Sequence, residues 1–219
     1  MLNTIFPKIH KEGYKFLAIS IIVTFLVLLF SQTLGLILIL ITIWVYYFFR
    51  DPERYSINND DFLVSPADGL ITNISEQAGP MELQLENTSY TKVSIFMNVF
   101  NCHVNRTPLS GTVEEIYYKP GKFLNASLDK ASEENERNYY KIKYDKLGEE
   151  IIIVQIAGLI ARRIVCEVEQ GQVLKQGDRI GMIRFGSRVD IYFKNKKTLV
   201  KKGQNVIAGE SLIAFKDGK

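Results

Sequence analysis

The chain has 219 residues, 47% of them hydrophobic, and carries 27 basic against 24 acidic side chains for a net charge of +3. That length suits one good-sized domain plus an anchor and leaves little room for two large domains. The mild charge includes no Lys/Arg stripe interleaved with aromatics, so a nucleic-acid partner is not indicated; a weak preference for anionic lipid headgroups is compatible with it.

Residues 1–15 form a basic flank with Lys8, Lys11 and Lys15, and His10 among them reads as a solvated side chain. Residues 16–49 are almost wholly apolar. This run is about twice the ~7–15 residues of a signal peptide's apolar core, and no Ala-x-Ala-like site follows it, so cleavage as a leader is not expected. It is also longer than the roughly 20 residues one spanning helix needs. The polar break Ser31-Gln32-Thr33, with Gly35 just after, predicts two short helices joined by a tight turn. Each is slightly short for a full crossing, which leaves open whether the hairpin spans or only inserts. Arg50 and Arg54 follow the run, so both basic flanks lie on one side of the hairpin, and the positive-inside tendency makes that side cytoplasmic. Trp44, Tyr46 and Tyr47 suit the interfacial belt. A helical pair buried inside a soluble fold is the alternative, and the lack of any polar face disfavours it.

Residues 50–61 read as a polar linker and 62–219 as a mostly β catalytic domain. Strands are predicted over Lys92–Val99, Val113–Tyr118, Ile151–Ile156, Arg179–Arg184 and Val189–Phe193, and residues 125–138 as a short helix or a loop. Two internal echoes stand out. Pro-x-x-Gly-x-[Ile/Val]-x-x-Ile occurs at Pro66–Ile74 and again at Pro108–Ile116, and Gly-x5-Gly occurs at Gly171–Gly177 and again at Gly203–Gly209. Glycine at such points supplies the positive φ of tight turns. The pattern suggests a β-sandwich and resembles the barrel-sandwich modules of biotinyl and lipoyl domains, without their modifiable lysine.

Few residues could carry chemistry. Cys102 and Cys166 lie far apart without metal-ligand spacing and read as reduced thiols facing the cytosol; no zinc or iron–sulfur pattern appears. Asp68 sits in a Pro-x-Asp-Gly turn, His103 follows an apolar strand, and Ser187 sits in Gly186-Ser187 between two apolar strands. Each alone is an ordinary turn or structural residue. Together, in three glycine-punctuated turns, they could converge as orienter, base and nucleophile. Gly-x-Ser-x-Gly is absent, which disfavours an α/β-hydrolase.

At this point the chain resembles a known family, the phosphatidylserine decarboxylases in their short bacterial and archaeal form. The resemblance covers nearly the whole chain. It rests on 47–54 (Tyr-Phe-Phe-Arg-Asp-Pro-Glu-Arg), 65–69 (Ser-Pro-Ala-Asp-Gly), 103–108 (His-Val-Asn-Arg-Thr-Pro), 120–126 (Pro-Gly-Lys-Phe-Leu-Asn-Ala), 135–137 (Asn-Glu-Arg), 155–165 (Gln-Ile-Ala-Gly-Leu-Ile-Ala-Arg-Arg-Ile-Val) and 185–190 (Phe-Gly-Ser-Arg-Val-Asp). The long form has Leu-Gly-Ser-Thr at its cleavage motif, where Phe185 and Arg188 flank the Gly-Ser pair here. It also has a second His where this chain has Arg106, so no role of that His carries over.

The resemblance implies a zymogen that cleaves itself between Gly186 and Ser187 into a long β chain and a short α chain. Ser187 becomes a pyruvoyl group, the electron sink that decarboxylation of an amino acid requires. That group takes the serine amine of phosphatidylserine as a Schiff base and releases CO2, leaving phosphatidylethanolamine. His103, held by Asp68, is the expected base. Arg106, Lys122, Arg162 and Arg163 are candidates for the lipid phosphate or carboxylate. No phosphate-cradling glycine loop suggests pyridoxal phosphate, and no metal is called for. The expected partners are phosphatidylserine, membrane lipids and the chain's own two fragments as a heterodimer, with higher oligomers left open. The expected place is the cell membrane, catalytic domain on the cytoplasmic side. A membrane-tethered adaptor on the same β scaffold and a Ser-His-Asp hydrolase are the rival classes.

Overall fold

A computed structural model describes residues 6–124, 134–144, 149–159, 163–184 and 186–216. The chain divides into two compact units, Met1–Glu53 and Arg54–Lys219.

In the first unit, helices α1 (Tyr14–Leu28) and α2 (Gln32–Phe48) are the two short helices expected from the apolar run. The break falls where Ser31 turns extended and its side chain accepts from Leu34 N at 3.4 Å, an N-cap that starts the second helix. Across the hairpin, Gly35 packs so closely that an added Cβ would lie 2.2 Å from Leu28 Cδ2. Polar side chains inside it satisfy one another: Ser20 and Thr42 hydroxyls lie 2.6 Å apart, and those of Thr24 and Thr42 2.9 Å apart. The outward side chains are bare hydrocarbon, among them Phe25, Leu29, Leu36, Leu40 and Phe30, the last 88% exposed. Helices of 15 and 17 residues are about 22 and 26 Å long at ~1.5 Å per residue. No described helix is long and apolar enough to cross a membrane. His10 is not the solvated residue expected: it is buried, and its Nδ1 accepts from Glu12 N at 3.3 Å to cap a 3-10 turn over Lys11–Gly13.

The second unit is mostly β, as expected. Its strands are β1 (Phe62–Val64), β2 (Gly69–Ala78), β3 (Ser89–Met97), β4 (Val104–Arg106), β5 (Gly111–Lys119), β6 (Arg137–Tyr144), β7 (Glu149–Ala157), β8 (Arg163–Cys166), β9 (Val173–Leu174), β10 (Arg179–Arg184), β11 (Ser187–Phe193), β12 (Lys196–Thr198), β13 (Asn205–Val206) and β14 (Leu212–Lys216). An eight-stranded sheet runs β13-β2-β3-β11-β7-β6-β5-β9, beside three-stranded sheets β1-β14-β12 and β4-β10-β8. Side chains from all three, including Leu63, Ile71, Ile95, Ile153, Ile183, Val189, Ile191 and Ile213, meet in one core. Of the stretch expected as a short helix or loop, residues 125–133 lie outside the described residues, and Arg137–Asn138 opens β6. Cys102 and Cys166 are not joined in a disulfide.

The strand orders read the same from either end when β1–β3 is exchanged with β4–β6 and β7–β10 with β11–β14. The sequence echoes are the visible part of this internal symmetry. Gly203 N donates to Ile71 O at 2.8 Å and Ile71 N to Gln204 O at 2.9 Å; in the other half Gly171 N donates to Val113 O at 2.8 Å and Val113 N to Gln172 O at 2.9 Å. Thus each Gly-x5-Gly segment pairs with one Pro-x-x-Gly strand. All four glycines have the left-handed φ expected, from +75° to +88°. Bulges fall at the same place, between Ile71 and Asn73 and between Val113 and Glu115.

Gly69, at the head of β2, is demanded by close approach: an added Cβ would lie 2.3 Å from Phe96 O. Backbone cannot yield there as a flexible side chain would. Gly69→Ala is expected to cost about 1–3 kcal/mol, read as a lowered unfolding midpoint of the detergent-solubilised chain in thermal or urea denaturation.

Candidate active site

Ser187 is the first residue of β11 and is paired with Met97 on β3 and Ala157 on β7, so it sits at one end of the central strands. Alternation along β11 sends Ser187, Val189, Ile191 and Phe193 to the core and Arg188, Asp190 and Tyr192 to the other face. Ser187 is fully buried, and its Oγ donates toward Met97 Sδ at 3.4 Å. The chain enters through Gly186, at φ +51°, where nothing lies within 4 Å of a built Cβ. A left-handed residue with open space beside it leaves the Gly186 carbonyl approachable.

His103 is fully buried, just before β4, and its carbonyl accepts from Ile183 N of β10 at 3.3 Å. Its ring Nδ1 lies 2.9 Å from Asn101 O. A carbonyl oxygen can only accept, so Nδ1 carries the hydrogen, and the neutral ring keeps its lone pair on Nε2.

Asp68 closes the turn before β2. Its Oδ1 accepts from Ala208 N at 2.8 Å, and Arg54 Nη2 donates to Oδ2 at 2.9 Å and Oδ1 at 3.2 Å. The repeat explains the first contact: at the equivalent position Ser110 Oγ accepts from Gln176 N at 3.2 Å. Asp68 therefore does the turn-closing work of its counterpart and adds a charge, paired with Arg54.

The candidate headgroup cations fall into different settings. Arg106 is buried, donates to Gly177 O at 2.8 Å and packs near Gly209. Lys122 is exposed and paired with Glu134 at 2.8 Å, a contact of little energetic weight in solvent. Arg163 is exposed at the head of β8, and Arg162 lies outside the described residues.

Sequence reasoning named the motifs but not the residues that brace Ser187. Asn135 is fully buried; its Nδ2 donates to Ala157 O at 2.7 Å and Leu124 O at 2.8 Å, while its Oδ1 accepts from Leu124 N at 2.8 Å. It ties the 122–124 segment to the residue paired with Ser187. A second buried chain runs through the core. Gln155 Oε1 accepts from Tyr140 OH at 2.8 Å and Asn138 Nδ2 at 3.4 Å, and Gln155 Nε2 donates to Asn105 Oδ1 at 2.8 Å. Asn105 Nδ2 then donates to Met97 Sδ at 3.7 Å, the sulfur that Ser187 Oγ also faces. Burial pushes the Tyr140 phenol well above its ordinary value, so it stays a donor. By the registers of the repeat, Asn105, Gln155 and Tyr140 correspond to Leu63, Phe193 and Val93, all apolar and buried in the same core. The fold does not require polar groups at these positions; they are particular to the half that adjoins Ser187.

Gln155→Leu removes the joint of this chain and leaves Asn105 and Tyr140 short of partners in a dry core. The expected loss is about 1–3 kcal/mol per stranded group, read as a lowered urea midpoint with unchanged far-UV circular dichroism.

A family model described as phosphatidylserine decarboxylase matches residues 41–214. The chain is 67% identical over 216 residues to a phosphatidylserine decarboxylase proenzyme of Pelagibacter ubique (strain HTCC1062), covering 99% of this chain and 100% of that one. It is 52% identical over 213 residues to a proenzyme of the same description from Rickettsia akari (strain Hartford), covering 97% and 92%. A third such relative, from Cereibacter sphaeroides (strain ATCC 17025 / ATH 2.4.3), is 50% identical over 215 residues, covering 98% and 92%.

Proposed function

The chain belongs to the phosphatidylserine decarboxylase family of carboxy-lyases, and from that premise we propose that it converts phosphatidylserine to phosphatidylethanolamine and CO2 after cleaving itself at Gly186-Ser187. The observation that carries the cleavage reading is a left-handed, open-sided Gly186 immediately before a wholly buried Ser187.

In this reading Ser187 Oγ attacks the Gly186 carbonyl while His103 Nε2 takes the hydroxyl proton. The peptide bond becomes an ester, and the Ser187 nitrogen leaves as an amine. Loss of the Cα proton then expels the Gly186 carboxylate and leaves dehydroalanine at position 187, which water converts to a ketone with release of ammonia. The ketone supplies the electron sink for loss of the substrate carboxylate. Asn101 fixes the His103 tautomer, so the same ring can return a proton to the substrate's Cα. Asp68 serves as a positioning residue, holding Arg54 and the turn before β2. Lys122 and Arg163, both solvent-facing, are the better placed of the headgroup candidates, since Arg106 is engaged with Gly177.

The exposed hydrocarbon of α1 and α2 supports a hairpin inserted in the membrane, because a patch of this size is costly in water. Lys8, Lys11, Lys15 and Arg50 flank it on the side assigned to the cytoplasm. Helices shorter than the roughly 30 Å hydrocarbon layer favour insertion without a full crossing.

Intact-mass spectrometry tests the cleavage. Wild-type protein is expected as 1–186 plus the 33-residue piece 187–219 bearing a borohydride-reducible carbonyl, and Ser187→Ala as one uncleaved chain. An active preparation of full-length mass with an unmodified serine would refute the mechanism. His103→Ala is expected to slow cleavage by roughly 10²–10⁴-fold, followed as the decay of the uncut band.

A further inference from the structure

The face of β11 turned away from Ser187 borders a cavity of about 310 Å3 whose wall includes Lys92, Arg137, Arg188, Asp190 and Glu82. Lys92 and Arg188 are each more than nine-tenths buried, and one carboxylate oxygen serves both. Asp190 Oδ2 lies 2.9 Å from Arg188 Nη2 and 3.9 Å from Lys92 Nζ. Glu82 is engaged by Lys119 at 2.8 Å, and half-buried Arg137 adds a third cation to the wall. Positive charge therefore exceeds the carboxylate available to it in a largely desolvated place, where an uncompensated cation is costly.

The architecture does not ask for these charges. Under the internal repeat, Lys92, Asp190 and Arg188 correspond to Tyr139, Ile152 and Glu150, and the first two of those pack in an apolar cluster. An ion cluster at one copy of a duplicated position, facing a cavity, reads as a site. Two guanidinium groups and an ammonium are the donor set that recognises a phosphate-type oxyanion. The volume sits at the small end of ligand pockets, roughly 300 Å3, which accommodates a phosphate together with a small polar group.

We propose that this pocket binds a phosphate ester, separately from the Ser187 site and on the opposite face of the same strand. Arg188 is the next residue after Ser187, so an occupant held by Arg188 also fixes the first residues of β11. The phosphate belongs either to a soluble ester or to an anionic lipid headgroup. The proposal does not rest on the cleavage chemistry, because the pocket is walled by residues outside it.

Calorimetric titration of the detergent-solubilised full-length protein with glycerol 3-phosphate and with inorganic phosphate forms the soluble arm. Phosphatidylglycerol vesicles compared with phosphatidylcholine vesicles form the lipid arm. The expected result is saturable binding of glycerol 3-phosphate, weakened about tenfold or more in Lys92→Gln and in Arg137→Gln, and equal in wild type and Ser187→Ala. A preference for phosphatidylglycerol vesicles alone, lost in the same variants, supports the site with a lipid as its source. Phosphate-dependent binding in neither arm, or binding untouched by both variants, overturns the proposal. Should Lys92→Gln fail to fold, Arg137→Gln at its half-buried position carries the test. Equal binding by the uncleaved Ser187→Ala chain keeps the outcome separate from that of the cleavage reading.

Discussion

The placement of one hydroxyl governs the rest of this architecture. Ser187 begins a central strand, and the ladder to Met97 on one side and Ala157 on the other leaves its side chain no choice of face. A shift of one residue would put Arg188 into the core and Ser187 outside it. The register is secured by Val189, Ile191 and Phe193, which continue the same face into a fully buried cluster. The reactive position is thus fixed by apolar packing, while Gly186 before it supplies the only backbone geometry that turns sharply into that strand.

Around that hydroxyl a duplicated scaffold is used unequally. Both halves share the turn before their second strand, closed at Asp68 in one and Ser110 in the other, with Ser65 Oγ donating to Ala67 O and Thr107 Oγ1 to Leu109 O at the same 2.7 Å. They part in the core, where Leu63, Phe193 and Val93 face Asn105, Gln155 and Tyr140. Replacing three apolar side chains by a connected polar chain is tolerable only when each group finds a partner, and here each does. Such a chain fixes amide orientation and side-chain position more narrowly than hydrocarbon can, which is a property wanted beside a group that must attack its own backbone.

Much of this was legible in the sequence. The hairpin break was readable because Ser31 and Gly35 interrupt an otherwise uniform apolar run. The glycine echoes were readable because positive φ leaves a composition signal. Ser187, His103 and Asp68 were named through a family resemblance, not through spacing, since each alone is an ordinary turn residue. What escaped was whatever depended on partners distant in the chain. His10 looked solvated among lysines, yet a 3-10 turn folds its ring inward to a backbone amide. Gln155 and Asn105 stand 50 positions apart and announce nothing until β4 and β7 bring them within 2.8 Å. The pairing of each Gly-x5-Gly with its own Pro-x-x-Gly strand was likewise hidden, because the first copy of one motif joins the second copy of the other.

That crossed pairing has a consequence for the proposed cleavage. The piece 187–219 would comprise β11 to β14, and each of these strands is paired with partners from the long chain: β11 with β3 and β7, β13 with β2, and β14 with β1. Breaking the 186–187 bond would therefore free one new end at the site without releasing the fragment, since its remaining contacts are sheet ladders and a shared core. Scission at the first residue of a central strand is compatible with an intact fold for that reason. The freed end stays aligned by β3 and β7, so a carbonyl made there would inherit the position that Ser187 holds before the cut.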